Sequence, residues 1–199
     1  MKNSAMVKEN SMKPIFPHPS NDAHVVQFYT KDKFLLASLC QFVRKAVENG
    51  ESAILVVSKS HRQELVKKLR ACGDDVIASL ENKRCVILDA SDTLAKFMED
   101  DEPNAQKFAS ILGPLINAAQ LKSGGKNVAV FGEMVAVLWS KKKYAAALQL
   151  EELWNDLAKT HSFYLRCAYR ATSFQDEHTE LYEAVCARHS AVMPVQLSA

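Results

Sequence analysis

The stretch that most constrains the fold of this chain runs from Val128 to Leu157. It opens with a short apolar run, Val128–Phe131, whose β-branched and aromatic residues predict a buried strand. Further on, apolar residues recur with helical spacing and predict an amphipathic helix, namely Ala146, Leu150, Leu153, Trp154 and Leu157. A buried strand followed by a helix with one apolar face predicts a layered α/β domain.

The same alternation of strand and helix recurs along the chain. Four further apolar runs predict strands at His24–Tyr29, Ser52–Val57, Cys85–Leu88 and Phe163–Tyr169. Strands that alternate with helices pair in parallel, so we expect a three-layer α/β sandwich with a mainly parallel, five-stranded sheet. Residues 1–22 are proline-rich and polar, and we expect them to form a flexible tail before a single domain at residues 23–199.

The composition excludes several classes of protein. The 25 basic residues barely exceed the 23 acidic residues, so bulk charge gives no reason to expect direct nucleic acid binding. No apolar run approaches the length of a membrane span, and the N-terminus lacks the apolar core of a signal peptide. The five cysteines include no C-x-x-C pair, which suits a reducing compartment. We therefore expect a cytoplasmic protein that does not bind membranes.

Polar and aromatic residues follow the ends of the predicted strands. Glu133 comes directly after Gly132, where a strand gives way to a helix, and ligands bind at this edge of open α/β sheets. Tyr29 ends the first predicted strand, and Tyr169 and Arg170 end the last. Because the carboxyl ends of parallel strands share one edge, we expect a ligand cleft there. It would have aromatic walls and one carboxylate as its polar anchor.

Gln27 and His61 complete the predicted ligand-binding set. Gln27 lies two residues before Tyr29 on the same face of its strand, and it needs a buried partner, either a ligand or a neighbouring side chain. His61 follows the second strand, and it either reaches the ligand edge or lies solvated near a helix start. Structural alternatives also exist for Glu133, as a carboxylate stabilised by a helix dipole, and for Tyr29, as a ring packed at the rim of the sheet.

The sequence contains no complete pattern for a metal or nucleophile site. Cys186 and His189 form a C-x-x-H pair, but nothing elsewhere completes a four-ligand zinc set. Cys167 lies in the middle of a strand and is expected to be buried and inert. His24 is expected to pin the start of the first strand. No G-x-S-x-G elbow or Ser-His-Asp constellation is present, so we expect no nucleophilic catalysis. We also expect no metal and no cofactor.

A family resemblance rests on six segments in this order: HVVQFY, ILVVS, CVILDAS, VAVFGEMV, LEELWNDL and FYLRCAY. Their order resembles the MEDS family, the methanogen/methylotroph, DcmR-type sensory domains, from His24 to about Pro194. FGEMV and LEELWNDL are the most specific parts. The resemblance implies a degenerate RecA/KaiC-like fold in which the fifth strand lies between the first and the fourth. It also implies sensing of small organic molecules, such as hydrocarbon derivatives, with an output such as transcription regulation.

The residues argue against ATP hydrolysis on this scaffold. A P-loop needs glycines whose backbone N–H groups hold phosphates, together with Lys and Ser/Thr. The corresponding turn, Phe28–Phe34 (FYTKDKF), has no glycine and places Asp32 where phosphate charge would lie. Gly132 and Glu133 stand where an ATPase would carry its metal-binding aspartate. We therefore expect that the chain is not an enzyme.

The first functional hypothesis is a sensory or regulatory module. It binds a small organic ligand at the carboxyl edge of the sheet and signals through a partner protein or a homodimer. An enzyme on the same scaffold is one alternative, with Glu133 as general base or cation ligand beside a second titrating group. A ligand-free interaction adaptor is the other. It would use the polar helix face Glu151–Asp156, and side chains would fill its sheet edge.

Overall fold

The computed structural model describes residues 24–174 and 179–193, so the predicted tail at residues 1–22 lies outside the described residues. A six-stranded sheet forms the centre, in the order β3-β2-β6-β7-β1-β8, and all its pairings are parallel. A separate antiparallel pair joins β4 to β5. The strands are β1 His24–Tyr29, β2 Ser52–Val57, β3 Cys85–Asp89, β4 Met98–Glu99, β5 Glu102–Pro103, β6 Val128–Gly132, β7 Phe163–Arg170 and β8 Ala191–Met193.

Helices cover both faces of the central sheet. Apolar residues of α1, α2 and α3 pack on one face, and those of α4 to α8 pack on the other. A short 3-10 helix, Ala171–Phe174, follows β7. The helices are α1 Asp32–Glu48, α2 Lys59–Arg70, α3 Asp74–Glu81, α4 Ala90–Leu94, α5 Ala105–Lys122, α6 Met134–Ser140, α7 Tyr144–Ala158 and α8 Thr179–Cys186. None of the described helices is long and apolar enough to cross a membrane.

The predicted three-layer α/β sandwich is confirmed, and its sheet has one strand more than expected. β8 adds to the outer side of β1, with Val25 opposite Ala191. Two of its three residues are exposed, so no buried apolar run marks this strand in the sequence. β7, the fifth predicted strand, lies between β1 and β6, the first and fourth, as expected.

The register of β1 against β7 decides which side chains share a face at the carboxyl edge. Tyr29 lies opposite Arg170, and Phe28 lies opposite Tyr169. Because successive side chains of a strand alternate between faces, Tyr29 and Arg170 point toward the α1 layer. Tyr169 points toward the α7 layer, where it belongs to the other hydrophobic cluster. The two tyrosines therefore approach the edge from opposite sides of the sheet.

The polar face predicted for α7 is only partly exposed. Glu152 and Asp156 are exposed, but Asn155 is half-buried and Glu151 is completely buried. Glu151 therefore does not belong to the exposed face that the adaptor hypothesis assigned to Glu151–Asp156. The adaptor hypothesis consequently loses a carboxylate from its proposed contact surface.

Candidate functional site

A cleft of about 280 Å³ opens where β1, β2, β6 and β7 end. Its walls include five of the six residues that the sequence predicts for ligand binding: Tyr29, His61, Glu133, Tyr169 and Arg170. They come from separate segments, and parallel pairing brings the segments together at one edge. A larger groove of about 540 Å³ lies on α2 and α3, but its polar lining residues, Arg70 and Glu81, are exposed. The cleft at the sheet edge is the better candidate because it contains a buried carboxylate.

Glu133 is the buried carboxylate of the cleft, with only 2 % of its surface exposed. It follows β6, and its backbone N–H donates to Val56 O at 2.8 Å, which ties the residue to the end of β2. Its side chain accepts two hydrogen bonds, from the Ser58 backbone N–H at 2.8 Å and from His61 Nδ1 at 2.7 Å. Glu133 thereby links the start of α6 to the junction between β2 and α2.

His61 lies in the first turn of α2 and is buried, so the alternative of a solvated histidine is wrong. Because a carboxylate oxygen accepts hydrogen bonds, we assign a proton to His61 Nδ1, which donates a hydrogen bond to Glu133 Oε1. Nε2 lies 3.4 Å from Asp32 Oδ1. The hydrogen bond to Glu133 raises the pKa of His61 above 6.5, against the effect of burial, and the negative charges of Glu133 and Asp32 raise it further.

Arg170 occupies the outer end of the cleft. Its guanidinium forms an ion pair with Asp32 and lies 5.3 Å from the ring centre of Tyr29. Acidic and basic side chains thus alternate across the cleft, and we call them the charge chain: Glu133, His61, Asp32 and Arg170. The side chains of Asp32 and Arg170 are about half exposed, at 50 % and 44 %, so the outer end of this chain contacts solvent.

Aromatic rings form the apolar part of the cleft. Trp139 of α6 and Tyr169 meet edge to face, with ring centres 5.4 Å apart. The Tyr169 hydroxyl donates to Glu151 Oε1 at 2.7 Å, so it is already engaged inside the α7 layer. Tyr29 meets His61 edge to face at 6.2 Å on the other side. Burial raises the pKa of Tyr29 above its usual value, and the nearby charge of Glu133 adds to this, so the phenol remains neutral.

Gln27 does not line the cleft. It is buried against α1, where its Oε1 accepts a hydrogen bond from Ser38 Oγ at 3.4 Å. Arg166 in turn donates to the same Ser38 hydroxyl at 3.0 Å. A neighbouring side chain therefore satisfies Gln27, which is the structural alternative to a ligand.

The cleft also has lining residues that the predicted set did not include, among them Asp32, Ser58 and Trp139. Asp32 was noted only as an obstacle to phosphate binding, and Ser58 contributes through its backbone, which no sequence pattern reports. Trp139 lies six residues after Glu133 in the same strand-to-helix unit. Its proximity to the predicted ligand edge was the available signal.

The raised pKa of His61 predicts a pH dependence of stability. Below pH 6.5 His61 is protonated in both the folded and unfolded states, so its stabilising contribution is fully present. This contribution is lost as the pH rises through the higher pKa of the folded state. His61→Gln should therefore lower the free energy of unfolding more at pH 6 than at pH 9, as measured by urea denaturation. His161→Gln, which removes a histidine outside the cleft, is the control. An equal loss at both pH values for His61→Gln would contradict the predicted coupling.

Comparison with known proteins identifies the family. Residues 23–189 match the family model described as MEDS, the MEthanogen/methylotroph, DcmR Sensory domain. None of the curated proteins matches the chain. The matched region exceeds half of the 199 residues and contains every residue of the cleft. Members of this family are sensory domains, which supports a sensory or regulatory role. Because the family model covers most of the chain, this protein belongs to the MEDS sensory domain family.

Proposed function

We propose that the chain binds a small organic molecule in the cleft, with Glu133 as its polar anchor, and signals to a partner protein or to a second copy of itself. The observation that carries this proposal is the position of the Glu133 carboxylate. It is buried, it lies at the carboxyl edge of a parallel sheet, and it faces a cavity with aromatic walls. Small-molecule sites combine aromatic or apolar walls with polar groups that fix the orientation of the ligand, and this cleft has both, with a larger polar share than most.

The cleft limits the ligand in size and chemistry. A volume of about 280 Å³ is close to the lower end of known ligand pockets, about 300 Å³, so the ligand has few heavy atoms. Each Glu133 oxygen already accepts one hydrogen bond, and its second lone pair can accept another. The ligand therefore carries an apolar body for Trp139 and Tyr169, and a hydroxyl or amine that donates to Glu133.

The charge chain provides a route from ligand to output. Glu133 precedes α6, His61 lies in the first turn of α2, Asp32 begins α1 and Arg170 ends β7. A ligand that donates to Glu133 Oε1 shares this oxygen with His61 and weakens the hydrogen bond between the two side chains. The ligand shifts the protein between two arrangements only if it binds one of them more tightly. We propose that the position of the α2 start relative to α1 is the element that differs between these two arrangements.

Native mass spectrometry of freshly purified protein tests the proposal. The expected result is a bound mass of a few heavy atoms, which is lost on mild activation and raises the melting temperature when added back. Denatured protein from the same preparation is the control for covalent adducts. Failure of every co-purified or added small organic molecule to raise the melting temperature would contradict the proposal.

General-base catalysis by Glu133 is a second candidate function, and the 2.7 Å contact with His61 favours it. This contact supplies the titrating neighbour that the enzyme alternative requires. The two functions differ in the fate of the ligand. A sensory module releases its ligand unaltered after prolonged incubation, whereas an enzyme converts it.

Tight binding of MgATP is not expected. The turn after β1 has no glycine, and Asp32 lies there in an ion pair with Arg170. Phosphate oxygens approaching this turn would meet a carboxylate in place of a nest of backbone N–H groups. Isothermal titration calorimetry at millimolar MgATP should show no saturable heat, with a P-loop ATPase as positive control. A micromolar dissociation constant would contradict this prediction.

A further inference from the structure

Four side chains with metal-ligand chemistry meet on the α7 side of the sheet, and none of them lines the cleft. His24 begins β1, Cys167 lies within β7, Glu151 belongs to α7, and His189 follows α8. The Glu151 and His189 side chains have no exposed surface, and Cys167 is also completely buried. The His24 side chain is 9 % exposed. Residues far apart in the sequence thus place two nitrogens, one sulfur and one carboxylate in one buried position.

The distances between the ligand atoms approach those of a tetrahedral site. His24 Nε2 lies 3.2 Å from Glu151 Oε2 and 3.3 Å from Cys167 Sγ. Cys167 Sγ lies 3.1 Å from Glu151 Oε2, and His189 Nε2 lies 3.5 Å from Glu151 Oε1. All four residues offer ligand atoms within 4.8 Å of one another. Tetrahedral zinc with ordinary bond lengths has ligand-to-ligand edges of about 3.3–3.8 Å, so small side-chain shifts would accommodate one ion.

Neighbouring groups orient both imidazoles toward this position. His24 Nδ1 lies 2.8 Å from Asn155 Oδ1, and Asn155 Nδ2 donates to Arg188 O at 3.0 Å, which sets the orientation of the amide. His189 Nδ1 donates to Val185 O at 2.7 Å. In a neutral imidazole with a proton on Nδ1, Nε2 carries the lone pair that binds a metal. Among the described residues, His189 Nε2 is one of three buried side-chain atoms without a hydrogen-bond partner.

The charges of the four ligands also fit a divalent ion. An ionised carboxylate without exposed surface, such as Glu151, is costly unless a positive charge compensates it. When Zn²⁺ binds, the Cys167 thiol releases its proton to solvent and its thiolate forms the Zn–S bond. The ion, one carboxylate and one thiolate then sum to zero, and both histidines remain neutral. The Tyr169 hydroxyl, 2.7 Å from Glu151 Oε1, orients the carboxylate from outside the ligand set.

We infer that His24, Glu151, Cys167 and His189 form a structural zinc site. Hard cations such as Mg²⁺ and Ca²⁺ prefer oxygen ligands, whereas a set of two nitrogens, one sulfur and one oxygen suits Zn²⁺. Four protein ligands leave no open position, which is typical of a structural site. The ion would fasten the segment after α8 to β1, β7 and α7. The sequence predicted no metal site because it paired His189 with Cys186, which is not part of the cluster.

Metal binding by the untagged full chain tests this inference. The protein is treated with a chelator, desalted, and titrated with CoCl₂ and then with ZnCl₂. We expect the chain to bind about one Co²⁺. The spectrum should show the visible d–d bands of a tetrahedral ion and a near-ultraviolet thiolate-to-cobalt charge-transfer band. Both should disappear when Zn²⁺ displaces the cobalt. Zinc should also raise the melting temperature. A wild-type protein that takes up no stoichiometric metal, or gives no thiolate band, would overturn the inference.

Variants separate this site from metal bound elsewhere. Cys167→Ser should abolish the charge-transfer band, and His189→Gln should weaken zinc binding at least tenfold. Asn155→Ala should weaken it by about 10- to 100-fold, because His24 loses the partner that positions its ring. Cys40→Ser and His161→Gln alter residues outside the cluster and should bind zinc like the wild type. Equal zinc affinity in wild type and His189→Gln would contradict the site. The wild-type cobalt spectrum decides the question if Cys167→Ser fails to fold.

Discussion

Replacing Trp154 with alanine should lower the free energy of unfolding by about 3–5 kcal/mol, the usual cost of removing a large buried aromatic side chain. The Trp154 ring is 1 % exposed. It meets Phe108 of α5 edge to face at 5.0 Å and Phe163 of β7 at 5.8 Å. The substitution removes the transfer free energy of the ring, and it leaves a cavity between two helices and the sheet that the neighbouring side chains can fill only partly. Urea denaturation followed by circular dichroism measures the loss.

Leu153→Ala is the matched control on the same helix. Leu153 is only partly buried and packs at the margin of the core, so its truncation should cost clearly less than that of Trp154. A comparable denaturation midpoint for Trp154→Ala and the wild type would show that α7 docks through another face.

Replacing Glu133 with glutamine should leave the fold intact and weaken ligand binding at least tenfold. The amide oxygen can accept from the Ser58 backbone N–H, as the carboxylate does. The amide N–H₂ can donate to His61 Nδ1 once His61 is neutral with its proton on Nε2, facing Asp32. The cleft then loses its buried negative charge and the acceptor that the ligand requires. Native mass spectrometry and thermal shift with the ligand recovered from the wild type measure the effect.

Glu48→Gln is the control for this substitution. It removes the same negative charge, but from the exposed side of α1. It should bind the ligand like the wild type. Full ligand occupancy in Glu133→Gln would show that the carboxylate is not the anchor, and loss of the folded state would show that its role is structural.

Much of the cleft was predictable from the sequence because it depends on local features. The apolar run before Gly132 and the ends of the runs at Tyr29 and Tyr169 mark where strands stop. Parallel pairing then places all strand ends at one edge, whatever the details of packing. Glu133, Tyr29 and Tyr169 could therefore be assigned to one cleft before their contacts were known.

The partners within the cleft depend on tertiary structure. The register places Arg170 beside Tyr29, and the approach of α1 brings Asp32 to the same place, so Arg170 pairs with Asp32. Burial of His61 follows from its contact with Glu133, a residue 72 positions away in the chain. Strand order and register set such pairings, and neither follows from the residues near a single strand end.

Glu151 shows the limit of sequence periodicity most directly. It lies among polar residues of α7, so the pattern predicts a solvated carboxylate. In the folded protein it is completely buried, because the start of β1, the middle of β7 and the segment after α8 converge on it. Helical periodicity was enough to predict that the face of α7 that carries Trp154 packs on the sheet. Only the tertiary structure shows that a second side of the same helix is also covered, because the side chains that contact Glu151 come from residues 24, 167, 169 and 189.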